Sequence, residues 1–206
     1  PRPSMKHIIT VILAFAFTAA SAQRVGGSCE GCEAVFEYGS KKLTSIDTLP
    51  DFKEPGPKLE ISGTIYQSDG KTPAKGVILY IYHTDQKGVY PQKGNETGWA
   101  KRHGYLRGWI KTNADGKYKF YTLRPASYPN SRAPQHIHPV VKEPNRNEYY
   151  IDEYLFADDP FLDEKEKEKE NQQQRGGSGI ITLTKKQDGT WVGKRDIILG
   201  MNIPDY

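Results

Sequence analysis

Residues 105–123 read YLRGWIKTNADGKYKFYTL. On both sides of Asn113-Ala114-Asp115-Gly116, aromatic and β-branched residues recur at period two, the spacing at which strand side chains share a face. Asp115-Gly116 supplies a turn in which glycine takes positive φ without steric cost. The stretch therefore reads as a hairpin, and its neighbours read the same way. Leu59–Gln67, Gly76–His83, His136–Lys142, Tyr149–Phe156, Gly179–Lys185 and Thr190–Leu199 carry the alternation, with Asp69-Gly70 and Asp188-Gly189 as further turn pairs. A second hairpin is expected over 179–199 through Gln187-Asp188-Gly189. Only Glu33–Tyr38 reads as a short helix. Many short strands without a long helix predict an all-β chain folded as a β-sandwich.

Two long connections interrupt the strands. Residues 84–104 are polar and glycine-bearing, and 123–135 (LRPASYPNSRAPQ) are proline-rich. Loops of this length in a compact domain carry function or move. Residues 163–175 (DEKEKEKENQQQR) form a charged, low-complexity run, read as a solvated excursion of a helical turn or two without chemistry. No internal repeat is evident.

The sandwich is assigned to residues 58–206. Ahead of it, 23–57 hold a Cys-x-x-Cys segment and a proline-rich linker from Pro50 to Pro57. Before that, Lys6 and His7 precede the apolar run Ile8–Ala19 and then Ala20-Ser21-Ala22, the pattern of a secretory signal peptide over residues 1–22. Met5 is the expected start and Ala22 the expected cleavage point, which leaves 206 − 22 = 184 residues. The run falls short of the roughly 20 apolar residues that span a bilayer, and no other stretch offers a membrane anchor. The expected location is secreted or periplasmic. In such an oxidising compartment Cys29 and Cys32 are expected to form a local disulfide. A redox pair would need a strand before it, and a zinc site would need a distant pair of histidines.

With 206 residues, 36% hydrophobic and 26% charged, the chain is neither a polytopic membrane protein nor disordered. Its formal charge of +4 becomes 4 − 2 = +2 once Arg2 and Lys6 are removed. Neither that charge nor any basic, aromatic-interleaved patch suggests a nucleic-acid partner. Thirteen Tyr against seven Phe is unusual and fits β structure.

His136-Ile137-His138 places two imidazoles on one face of a strand, where both can reach one ion. By itself the pattern is weak. Its company is Tyr90, ending DQKGVY, and Tyr128, within RPASYP. Across about Gly76 to Asp159 the chain resembles the intradiol ring-cleavage dioxygenases, the family of catechol and protocatechuate dioxygenases. The likeness lies in GVILYIYHTDQKGVY, in YLRGWIKTNADGKYKFYTLRPASYP and in APQHIH.

The resemblance implies a β-sandwich that holds a non-haem iron(III) through Tyr90, Tyr128, His136 and His138. Phenolate is a hard donor suited to a trivalent cation, with neutral imidazoles filling the remaining positions. The implied reaction opens a catechol, or a larger phenolic, between its hydroxyls with dioxygen. Both oxygen atoms enter a muconate-type diacid, and no nicotinamide or flavin is needed. Tyr90 and Tyr128 would also act in catalysis, one of them leaving the metal when substrate binds.

The family places an Arg three residues before the first ligand His. Ala133 stands there in this chain, so Arg132 is the candidate for that charge, with Arg107 and Arg124 as substitutes. Pro139 removes a strand amide and points to an edge or a bulge. Two other readings compete. One is a non-enzymatic secreted β-sandwich binding module; the other is a structural zinc protein built on Cys29, Cys32, His136 and His138. The oligomeric state stays open, and Asn95-Glu96-Thr97 is a glycosylation sequon in a eukaryotic host.

Overall fold

The computed structural model describes residues 24–206. The proposed signal peptide and its cleavage point lie outside the described residues. In chain order the strands are β1 (Ile46–Thr48), β2 (Lys58–Tyr66), β3 (Ile78–Tyr82), β4 (Arg107–Lys111), β5 (Lys117–Leu123) and β6 (His136–Lys142). They continue as β7 (Glu148–Tyr150), β8 (Tyr154–Phe156), β9 (Ile180–Ile181), β10 (Thr184–Lys185), β11 (Trp191–Lys194) and β12 (Ile197–Ile198). Two α-helices, α1 (Ala100–His103) and α2 (Glu164–Gln173), sit in connections, and 3-10 helices occupy Cys32–Phe36 and Pro50–Lys53. No helix among the described residues is long and apolar enough to cross a membrane.

The strands form two mixed sheets, as expected for an all-β sandwich. One runs β1-β5-β2-β11-β10 with β12 also on β2; the other runs β4-β3-β6-β8-β9 with β7 also on β6. Leu59, Ile61 and Ile65 of β2 and Phe120 of β5 meet Leu79, Ile81, Ile110, Ile137 and Val141 of the facing sheet in the main core. Each such side chain contributes roughly 1.5–3 kcal/mol by leaving water.

The stretch 105–123 is not a hairpin. β4 pairs with β3, and β5 pairs with β2 and β1, so the two strands face each other across the core. Their turn is as local chemistry demands: the Gly116 amide donates to the Asn113 carbonyl at 3.1 Å, and the Asn113 side chain accepts from Asp115 and Lys117. Alternation tells which residues share a face, as Tyr118, Phe120 and Thr122 do on the buried side of β5. It carries no information on which strand lies alongside. By contrast β10 and β11 do form the expected antiparallel hairpin.

β3, β4 and β6 turn their other face outward, and Tyr80, Trp109 and Val140 on it are buried beneath Cys32, Ala34 and Val35. The Trp109 indole donates to the Ala34 carbonyl at 3.1 Å. Cys29 and Cys32 are joined by a disulfide. Residues 24–57 thus cover half of this outer face, and β1 joins the opposite sheet. The uncovered half carries the candidate site.

Pro139 lies in the middle of a sheet, not at its edge. On the β3 side it pairs with Ile81. On the other side β7 matches Val140–Lys142 and β8 matches His136 and Ile137, so His138 and Pro139 face three residues, Ile151, Asp152 and Glu153. The missing amide is met by a bulge, which splits the expected strand 149–156 in two. The runs 179–185 and 190–199 are also divided, each into two short strands. The charged run is a ten-residue helix, α2, rather than a turn or two; Asp163 caps it by accepting from the Glu166 amide at 3.0 Å.

Candidate functional site

His136 and His138 share the outward face of β6, one period apart, while Ile137 between them is buried in the core. Tyr82 of β3 lies directly opposite His138 in the ladder and stacks on it with ring centroids 4.6 Å apart. Its other face stacks on His103 of α1 at 3.8 Å. The His138 ring is therefore held flat against an aromatic wall.

The two tyrosines arrive on the long connections. Asp85 shapes the first: its carboxylate accepts from the Lys87 and Val89 amides, and its own amide donates to the Val89 carbonyl. The second is tied to the first by the Ala126 amide on the Asp85 carbonyl and the Thr84 hydroxyl on the Ala126 carbonyl. The loops touch at Gly88, with φ 75°, where any Cβ would overlap the Ser127 carbonyl. Glycine is needed there for both conformation and space.

All four singled-out side chains come together. The Tyr90 hydroxyl lies 2.6 Å from that of Tyr128 and 2.8 Å from His138 Nε2. The Tyr128 hydroxyl lies 3.3 Å from His138 Nε2 and 3.0 Å from His136 Nε2. The outward nitrogens are already engaged. His136 Nδ1 lies 2.6 Å from the Pro134 carbonyl, an acceptor only, so the proton of the neutral ring sits on Nδ1. His138 Nδ1 lies 3.5 Å from the Glu153 carboxylate.

Two phenolic protons must then serve four short contacts among two phenols and two bare imidazole nitrogens. Four lone-pair donors converging on one point suit a cation better than one another. Burial, and then the neighbouring Tyr128, push the Tyr90 phenol far above its ordinary range. Burial also raises Tyr128, against the hydrogen bond from Tyr90. It lowers His136, aided by His138, which keeps that imidazole neutral. Only a strong positive charge would ionise such phenols at neutral pH.

Among the described residues, no group of three or more His, Cys, Asp or Glu side chains is placed to hold a metal. The histidines have the phenols to complete a donor set, and the cysteines are consumed by their disulfide. This removes the basis of the structural zinc reading.

Arg132 stays outside the four-residue cluster. It is exposed, lies over the Phe161 ring at 5.4 Å, and lines a cavity of about 430 Å³ that His136 also lines. The alternatives are committed elsewhere. Arg107 binds Glu37 at 2.5 Å on the covered half of the sheet, and Arg124 grips Asp158 with two hydrogen bonds of 2.8 and 2.9 Å.

Glu153 was missed in the sequence. Burial works to raise its carboxyl, yet the hydrogen bond with His138 outweighs it and holds the group at about 2. The available signal was an acidic pair, Asp152-Glu153, inside an otherwise apolar run. The inner face of α2, which lines the same cavity, was likewise read as mere solvated surface.

The family model Dioxygenase_C, described as dioxygenase, matches residues 35–174. Catechol 1,2-dioxygenase 1 of Acinetobacter lwoffii is 43% identical over 86 residues, 42% of this chain and 26% of the relative. The protocatechuate 3,4-dioxygenase beta chain of Burkholderia cepacia is 23% identical over 137 residues, 61% of this chain and 58% of the relative. The matches therefore span less than two thirds of either relative's length. Among solved structures, the dioxygenase domain of a carbohydrate-binding fusion from Streptomyces sp. SirexAA-E is similar at a TM-score of 0.55 and 23% identity, covering 77% of this chain and 91% of that one. An intradiol ring-cleavage dioxygenase from Tetranychus urticae is similar at 0.52 and 21%, covering 77% and 87%. At these identities the structural likeness speaks for the fold.

Proposed function

The chain belongs to the intradiol dioxygenase family, and from that premise we propose that it holds a non-haem iron(III) through Tyr90, Tyr128, His136 and His138 and opens catechols between their hydroxyls with dioxygen. The observation that carries the proposal is the convergence of two phenols and two imidazole Nε2 atoms with contacts of 2.6 to 3.3 Å. Iron(III), when bound, supplies a Lewis acid and a template that make a coordinated catechol reactive towards dioxygen.

The protein's own residues then have separable tasks. Pro134 and Glu153 hold the Nδ1 side of each histidine, so that both Nε2 lone pairs point inward. Tyr82 fixes the ring plane of His138. Tyr90 and Tyr128 give up their protons to become anionic donors. In surroundings that raise both phenols, either tyrosinate would be a strong base, suited to take a hydroxyl proton from a catechol. Arg132, which lines the cavity beside His136, takes the task of steadying negative charge that develops on the ring. The Cys29–Cys32 disulfide supports an extracytoplasmic location.

The test is the reaction itself. Iron-loaded protein given catechol under labelled dioxygen should yield a ring-opened diacid carrying both labelled atoms. An iron-loaded protein that leaves catechol intact would overturn the proposal and favour a binding module that keeps the fold without the chemistry.

A further inference from the structure

The cavity beside His136 has more room than one aromatic ring requires, and its outer wall is mostly of one charge. Pro134, His136 and Leu155 form its inner end, with Phe161 and Leu162 as apolar lining. α2 closes the outer side. Its cap Asp163 is followed by Glu166 and Glu170 at i+3 and i+7, so the three carboxylates share the stripe that lines the cavity. No residue of α2 is buried, so the helix presents these groups instead of packing them into core. Asp163 already accepts from the Glu166 amide, which leaves no open anion site at the helix N-terminus.

Two cations share the lining: Lys169 is paired with Glu166 at 3.5 Å, and Arg132, which has no acid partner among the described residues, is the guanidinium already assigned to the ring. Arg132 lies over Phe161 at 5.4 Å. Glu170 has no ion pair among the described residues. Burial first, then the charges of Glu153 and Asp152, push its carboxyl above the ordinary value, as expected of an acid that faces other acids.

We propose that this cavity receives the ring substituent of the catechol and selects a cationic or neutral arm, an amine above all, against a carboxylate. The inference rests on the ring-opening reading of the adjoining centre. An ammonium arm finds Glu170 free to pair. A carboxylate arm meets Asp163, Glu166 and Glu170, and the one cation without an acid partner, Arg132, is the group the ring itself requires. A neutral arm is held by Leu155, Phe161 and Leu162 alone. In a partly hydrated cavity one such charge contact is worth roughly tenfold in affinity.

Anaerobic titration of the iron-loaded full chain separates binding from turnover. Catechol, dopamine (an aminoethyl arm) and protocatechuate (a carboxylate) would be followed by the visible spectrum, and kcat/KM then measured in air. Dopamine should bind at least about tenfold more tightly than protocatechuate. Glu170→Lys should shrink or reverse that ratio, and Glu170→Gln, which removes charge with little change of shape, should move it partway even if the Lys variant folds poorly. Protocatechuate binding as tightly as dopamine, or a ratio unmoved in both variants, overturns the inference while catechol cleavage persists. Catechol that neither binds nor opens overturns the ring-cleavage reading, and this inference with it.

Discussion

Gly88 controls how closely the loops of Tyr90 and Tyr128 approach. A Cβ there would strike the Ser127 carbonyl, and φ 75° is itself unfavourable for an L-residue by roughly 1–2 kcal/mol. Gly88→Ala should therefore push the phenols apart, lower iron retained per chain after gel filtration, and slow ring opening at least about a hundredfold. Parental iron content and rate would show that the loops are not coupled through this contact. Glu153→Gln keeps the size of the side chain and removes the charge beside His138 Nδ1. Chelator competition should then report roughly 10–100-fold weaker iron binding. Arg132 cannot ligate a cation, so Arg132→Ala should keep its iron and lose roughly 10²–10³ in turnover. A variant that turns over like the parent would assign that task to another group.

Among the elements, α1 joins the covered and uncovered halves of the outer sheet face. Its His103 stacks on Tyr82, and the Tyr80 hydroxyl lies 2.8 Å from its Nδ1. Burial first, then the Arg107 charge, lowers this imidazole from 6.5 to about 4. The folded state thus favours neutral His103, and its stabilising contribution is complete above the unfolded value of 6.5 and lost as pH falls through about 4. Urea midpoints of the parent and His103→Gln should differ most at neutral pH and converge towards pH 4, with at most about 3 kcal/mol at stake. A pH-independent difference would mean that His103 acts by packing alone. The same scale shows what the sequence can and cannot carry. Period-two alternation marks Tyr118 and Phe120 as core residues, because that depends only on the strand's own geometry. Pairing partners depend on the whole topology, which is why 105–123 reads as a hairpin yet bridges two sheets. Pro139 announces a break in its ladder. The bulge that answers it, and that brings Glu153 to His138, is a property of two strands together.

On the scale of the molecule, the sandwich is a rigid base on which one strand supplies two imidazoles and two long loops supply two phenols. The four residues stand out in the sequence through their local motifs. The two groups behind the histidines, Pro134 and Glu153, and the acidic face of α2 become visible only when distant segments meet. The central claim is that these four donors bind one iron(III). It is tested most directly by the visible spectrum and metal content of iron-loaded protein, measured alongside Tyr128→Phe. The account predicts one iron per chain with a phenolate-to-iron charge-transfer band, and a Phe variant that remains folded with that band shifted or weakened. A parent protein that stays colourless and iron-free after loading, or a band indifferent to the loss of the Tyr128 hydroxyl, would contradict it.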